Sequence, residues 1–257
     1  MNHESRVTVF MIELKSQREI EIMSRAGKIA ALLIKQLAQA IRAGIRTVEL
    51  DKTAYQFIRS HGAESAFKGY RGYPCTICAS VNEEVVHGIP GERRLKEGDI
   101  ISIDVGVKLE GYYSDTARTF TVGRVSPAVR HLIQTTEESL YKGIDKARKG
   151  NRLFDISHAV QQHVEKQGFG VVRQFVGHGI GAHLHEEPQV PNFGSPNLGP
   201  VLKEGMVLAI EPMVTEGNYE VEILDDGWTA VTRDRKLAAH FEHTVAITTE
   251  GPRILTQ

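Results

Sequence analysis

The sequence predicts an α/β (α+β) chain built as two related halves, with antiparallel strands at the centre and helices outside. Three observations carry this expectation. Helical periods and strand-like runs alternate in the same order twice. Two blocks of the first half recur in the second at a nearly constant offset. Between them, Leu95–Phe120 reads as a β-hairpin. The chain has 257 residues, enough for one sizeable core.

Ser16-Gln17-Arg18-Glu19 has the form of a capping box. Met23, Ala26, Ala30, Leu33, Leu37 and Ile41 follow at helical spacing, with Gly44 as the stop. Thr47 caps a second helix that runs to about Gly62. Short strands are expected at Thr76–Val81 and Val85–Ile89, and then the hairpin. Ser126-Pro127 opens a long helix that stops near Gly150, and another runs from Leu153 to Gly168. Strands return from Val171, interrupted by a proline-rich loop at Pro188–Pro200.

Ile41–Gly62 aligns without gaps on Ala147–Gly168, and Arg42/Arg148, Gly44/Gly150, Arg46/Arg152, Gln56/Gln162 and Gly62/Gly168 are identical. Leu95-Lys96-Glu97-Gly98 recurs as Leu202-Lys203-Glu204-Gly205, which places Asp104 on Glu211. His87-Gly88-Ile89 resembles His178-Gly179-Ile180, so His87 is expected to match His178. Fused halves of this kind imply a pseudo-two-fold axis with a site between them.

The chemistry gathers on acids. A hairpin centred between Leu109 and Glu110 sets Asp104 directly opposite Asp115, with β-carbons roughly 5 Å apart. Like charges that close resist joint ionisation unless a cation lies between them. Glu211 stands in the apolar context VLAIEP and Glu242 in HFEHTVAIT, where a lone carboxylate is costly. His178 lies between glycines that let backbone approach closely. Four carboxylates and one imidazole carry about four negative charges. That matches two divalent cations and no structural zinc site. Two such ions roughly 3.5–4 Å apart can share and acidify a water.

Composition excludes other classes. The net charge of −1 gives no basic field for nucleic acid or an anionic membrane. No apolar run approaches a transmembrane span, and the start lacks a secretory pattern. Met11 could be a second start, leaving 1–10 as a flexible tail ahead of one catalytic domain, 11–257. The two cysteines, Cys75 and Cys78, build no disulfide framework, which fits a reducing cytoplasm. As a lone C-x-x-C they are a weak redox or zinc signal. His185-Glu186-Glu187-Pro188 is no zincin helix, since Pro188 would break it. His131, His158 and His163 read as helix-surface residues, and His243 should point away from Glu242.

The stretches SVNEEVVHGIP, IDVGVKLEGYYSDTART, GHGIGAHLHEEP, IEPM and DGWTAVTRDRKLAAHFEHT resemble those of the type I methionine aminopeptidases. The resemblance covers the chain from about Met11 onward. It implies the pita-bread fold, a dinuclear site and removal of N-terminal methionine. It places Asp104, Asp115, His178, Glu211 and Glu242 as ligands of two divalent ions (Co, Mn, Fe or Zn). It makes His87, His185 and Glu211 catalytic, and puts Tyr70, Tyr73, Cys78, Leu184 and Trp228 with the two histidines around the substrate. Leu184 stands where many members carry an aromatic, and His240 where Gln is common. The implied partners are methionine-initiated peptides of new chains and the ribosome that presents them, met by a monomer. The alternatives are an Xaa-Pro aminopeptidase of the same fold and an inactive binding protein. The latter would be expected to have lost ligands.

Overall fold

The computed structural model describes residues 11–257; the expected tail, 1–10, lies outside the described residues. Helix α1 (Gln17–Ala40) opens as the capping box requires: Ser16 Oγ accepts from Glu19 N–H, and the Glu19 carboxylate accepts from Ser16 N–H. Its Met23, Ala26, Ala30, Leu33 and Leu37 face the core. The helix ends before Gly44, because Ile41 turns extended and Gly44 N–H is held by the Leu95 carbonyl instead. In α2 (Thr47–Ser60), Thr47 is not the cap. Glu49 accepts from Arg46 N–H, and the Thr47 hydroxyl bonds Gly91.

The remaining elements are β1 (Glu64–Ser65), a 3-10 turn (Tyr70–Gly72), β2 (Cys78–Val81), β3 (Glu84–Val86), β4 (Ile100–Leu109), β5 (Tyr112–Thr121), α3 (Pro127–Ile144), α4 (Leu153–Lys166), β6 (Gly170–Val171), β7 (Gly177–Gly179), β8 (Glu186–Val190), β9 (Val207–Ile210), β10 (Met213–Thr215), β11 (Val221–Ile223), β12 (Ala230–Thr232), β13 (Ala238–His240), β14 (His243–Thr248) and β15 (Gly251–Ile254). Ser126 caps α3 with Pro127 in its first turn, as expected; the helix ends at Ile144, short of Gly150. The expected loop from Pro188 begins later, because β8 extends through Val190 to pair with β7. No helix among the described residues is long and apolar enough to cross a membrane.

The internal repeat is visible in the hydrogen bonds. Gly44 N–H bonds Leu95 O, and Gly150 N–H bonds Leu202 O. Arg46 bridges Arg94 as Arg152 bridges Val201. Gly44 and Gly150 share a left-handed conformation, φ 90° and 95°. Only glycine enters that region without strain.

The hairpin differs from expectation in its turn. Glu110 (φ 49°) and Gly111 (φ 87°) are the two central residues, as a type I′ turn demands. The register therefore pairs Asp104 with Ala117 and Gly106 with Asp115. Asp104 and Asp115 are diagonal neighbours, not opposite residues. The shift preserves strand parity, so both still project from one face.

β5 joins the two halves. Thr119 exchanges hydrogen bonds with His240, Ala117 with Glu242, and Asp115 with Thr244. Beside it, β10 pairs with β13 and β9 with β14. Glu211 and Glu242 occupy the break between those two ladders, facing each other across it. Carried on from Ile210↔His243, the register sets Glu242 where Ala117 stands in the first half. Likewise His178 pairs with Ala209, whereas Ser80 pairs with Ser102 in the first half. Ser80, and not His87, is thus the counterpart of His178. His87 follows β3 in a separate sheet. The short H-G-I match arose from two glycine-bearing segments with different roles.

Candidate metal centre and substrate cavity

All of the residues singled out from the sequence line one cavity of about 160 Å³: Tyr70, Tyr73, Cys78, His87, Asp104, Asp115, His178, Leu184, His185, Glu211, Trp228 and Glu242. The acids and His178 arrive on several different strands. β4 and β5 present the two aspartates, the interrupted strands present the two glutamates, and β7 presents His178. The glycines beside His178 are required by packing. A methyl group at Gly177 would run into the Ala209 carbonyl, and one at Gly179 into that of Glu187.

Ligand atoms of Asp115, His178 and Glu242 lie within 4.8 Å of one another. His178 Nε2 is 3.6 Å from Glu211 Oε1. His178 Nδ1 lies 2.8 Å from the Gly179 carbonyl, which only an N–H can satisfy. The Nε2 lone pair therefore faces the carboxylates. Asp104 Oδ1 and Glu242 Oε1 are buried with no hydrogen-bond partner. Acceptors aimed at acceptors, buried and undonated, are a donor set for cations. Four oxygen-bearing acids and one imidazole fit divalent metal ions.

Without such ions the charges are costly. Burial, then the neighbouring Asp115 and Glu211 charges, push the Asp104 carboxyl well above its usual range. Burial and Asp115 do the same to Glu211 and Glu242. Burial raises Asp115 to about 6. Burial lowers His178 to about 4 and holds His87 below its ordinary value. At His185 burial lowers the value to about 3, with smaller contributions from His178 and Arg71. These imidazoles are neutral at pH 7.

The cavity wall is aromatic and sulfur-bearing. The Tyr73 ring meets Trp228 edge-on at 5.1 Å, and its hydroxyl is held by the Ile77 and Gly88 carbonyls. Cys78 is buried in the wall, while Cys75 lies outside it near Pro90. The His185 ring lies against His178 at 4.2 Å, tilted by 44°, and its Nδ1 is 2.9 Å from the Tyr70 hydroxyl. His87 packs edge-on against Phe175 and Trp228. His131, His158 and His163 stay away from the cavity, although His158 and His163 are half-buried. His243 turns to Thr256 and Tyr141.

Phe67, Arg71 and the Lys15–Glu186 pair were not singled out from the sequence, whereas His240 was noted there as standing where Gln is common. Phe67 and Arg71 line the cavity. Nothing in the pattern marks Phe67, whereas Arg71 sits in the glycine bracket Gly69–Gly72. His240 is buried with Nε2 3.7 Å from Glu211 Oε2 and no hydrogen bond. Lys15 forms an ion pair with Glu186, both side chains under a tenth exposed. Glu186 also accepts from His183 N–H, and Lys15 N–H bonds Gly205 O. The pair thus pins the loop carrying Leu184 and His185. Lys15→Met leaves the Glu186 carboxylate buried and uncompensated, and should cost about 3–5 kcal/mol in a denaturant melt. Lys15→Met with Glu186→Leu should recover most of it. A single variant as stable as the parent would show that the pair carries no weight.

The metallopeptidase family M24 model matches residues 21–249. The chain is 57% identical over 246 residues to the methionine aminopeptidase of Clostridium perfringens, spanning 96% of this chain and 99% of that protein. It is 56% identical over 247 residues to methionine aminopeptidase 1 of Bacillus subtilis, spanning 96% and 100%. The crystal structure of methionine aminopeptidase from Thermotoga maritima matches with a TM-score of 0.95 at 46% identity, over 96% of this chain and 100% of that one. The prolidase from Pyrococcus furiosus matches at 0.76 and 25% identity, and the chain spans 65% of its length. With its pita-bread arrangement of helices and antiparallel sheets, the chain belongs to metallopeptidase family M24 and, within it, to the type I methionine aminopeptidases.

Proposed function

We propose that this chain removes the N-terminal methionine from new proteins and peptides in the cytoplasm, by metal-assisted hydrolysis. The supporting observation is that the acid–imidazole cluster and an apolar, sulfur-bearing wall share one cavity. Asp104, Asp115, His178, Glu211 and Glu242 would hold two divalent ions drawn from Co, Mn, Fe or Zn. When bound, the ions supply charge stabilisation and a water acidified for attack.

The chain's own residues do the rest. The substrate's free amine would lie at the acid–imidazole floor of the cavity. Tyr73, Cys78, Leu184 and Trp228 enclose a thioether-sized side chain, and sulfur–aromatic contacts contribute about 0.3–1.5 kcal/mol each. Glu211 takes the proton released from the attacking water at a carboxylate oxygen and passes it on. Tyr70 holds His185 by Nδ1, which leaves Nε2 for the scissile amide. His87, neutral and buried, steadies and protonates the leaving amine.

A panel of Met-Ala and Ala-Pro peptides tests this. Met-Ala cleavage with Ala-Pro inert is the expected result, and the reverse would move the chain to the proline-directed peptidases. The wall adds a finer expectation. Leu184, in place of an aromatic, gives up one sulfur–aromatic contact, so norleucine- and leucine-initiated peptides should be cleaved measurably. One methylene discriminates by only roughly 10–200-fold. Leu184→Phe should sharpen the kcat/KM preference for methionine; no change would remove Leu184 from the pocket.

A further inference from the structure

Two residues of the cavity lining are exposed, Arg71 and His185; the others are buried or half-buried. These two form the mouth, and Tyr70 links them. The Arg71 guanidinium lies 5.4 Å from the centre of the Tyr70 ring, the Tyr70 hydroxyl is 2.9 Å from His185 Nδ1, and the two rings stack at 5.3 Å. The segment is built to hold Arg71 there. Arg71 has φ 49° and ψ 23°, between Gly69 at φ 88° and Gly72 at φ 91°. Non-glycine residues rarely adopt that conformation. Hydrogen bonds from Gly69 N–H to Tyr73 O and from Tyr73 N–H to Tyr70 O close the turn.

Charge makes the position informative. Arg71 is the one permanent cation among the cavity-lining residues, and it makes no ion pair among the described residues. The floor below it carries four carboxyl groups. With the substrate amine on that floor and the scissile amide at His185, the chain beyond the cut must leave past His185. It therefore passes Arg71. With two divalent ions offsetting those carboxylates, the Arg71 guanidinium would leave the mouth with a net positive charge that attracts an acidic group on the departing segment.

We propose that Arg71 is a subsite for a carboxylate just downstream of the scissile bond: the side chain of an acidic third residue, or the C-terminal carboxylate of a tripeptide. The inference rests on the methionine-peptidase reading above and deepens it. The discrimination should be modest, about threefold to tenfold at low salt, because the pair is solvent-exposed and screened.

The test is kcat/KM for C-terminally amidated Met-Ala-Glu-Ala, Met-Ala-Gln-Ala and Met-Ala-Lys-Ala, and for Met-Ala-Ala as free acid and amide. Each is measured in the parent and in Arg71→Gln, at low and high salt. The parent should rank Glu above Gln above Lys, or free acid above amide, and high salt should compress the ranking. Preference confined to the tripeptide acid assigns the subsite to a chain terminus; preference confined to Glu assigns it to a side chain. In Arg71→Gln the order should collapse or invert, with Lys at least equal to Glu. Cleavage of all peptides with a flat ranking overturns this proposal alone, as does an unchanged ranking in the variant. No cleavage of any by the parent removes the methionine-peptidase reading and this subsite with it. Should the variant not fold, the parent's salt series decides, since a ranking insensitive to salt is not an Arg71 charge effect.

Discussion

Asp104→Asn should abolish nearly all hydrolysis of Met-Ala peptides while making the metal-free protein harder to melt at neutral pH. The two effects share a cause. Asp104 is half-buried, its Oδ1 is buried with no donor, and desolvation with the Asp115 and Glu211 charges raises its pKa well above the usual carboxylate range. In metal-free protein the folded state therefore binds more protons than the unfolded one above the normal carboxylate pKa. Stability is present at low pH and falls as pH rises. For Asp115 the window runs from about 4 to about 6; for Asp104, Glu211 and Glu242 it extends higher. Asparagine at 104 takes no charge, so its share of the strain disappears. The thermal midpoint should rise by about 2–4 °C for each kcal/mol relieved. Under the proposed function activity falls because a carboxylate ligand would be lost, on the order of 10²-fold or more if several kcal/mol of charge stabilisation go with it. Elemental analysis should find two divalent ions in the saturated parent and fewer in the variant. Full activity in a variant holding one ion or none would end the dinuclear assignment.

Local rules made much of this legible in advance, and tertiary pairing hid the rest. The capping box at Ser16 and the Ser-Pro start at 126 depend on four or five consecutive residues, and both stand as expected. The Asp104–Asp115 pairing depended on the turn. Glu110-Gly111 supplies the positive-φ pair that a two-residue hairpin needs, and placing the turn on Gly111 would have given the observed register. The error was harmless to the site because it moved the pairing by two residues and left both acids on one face. The repeat correctly matched Asp104 with Glu211, since both follow the same Leu-Lys-Glu-Gly turn. It misassigned His178, whose counterpart is set by β-pairing that no three-residue match encodes. Lys15 and Glu186 are 171 residues apart, and only the closed fold makes them partners.

His185→Ala should lower kcat by an amount on the order of 10²–10⁴ with metal content unchanged. The reasoning starts from its surroundings. His185 packs against His178 at a tilt yet sits at the mouth, tied through Nδ1 to Tyr70 and not to the acids below. Desolvation at the cavity lowers its pKa to about 3 and keeps it neutral, so under the proposed mechanism it would act on the scissile amide by hydrogen bonding and bring no positive charge near the ions. Tyr70→Phe removes only the hydroxyl that orients it and should reproduce part of the kcat loss, with a smaller effect on KM than a wall truncation. In the His185→Ala background, Tyr70→Phe should then cost almost nothing more, because residues acting as a unit are not additive. His87→Ala should also lower kcat, but independently, since His87 leans on Phe175 and Trp228 and shares no hydrogen bond with His185. Metal lost from the His185 variant would reassign it as a ligand. Fully additive losses in the Tyr70–His185 pair would show that the hydroxyl does not orient the imidazole.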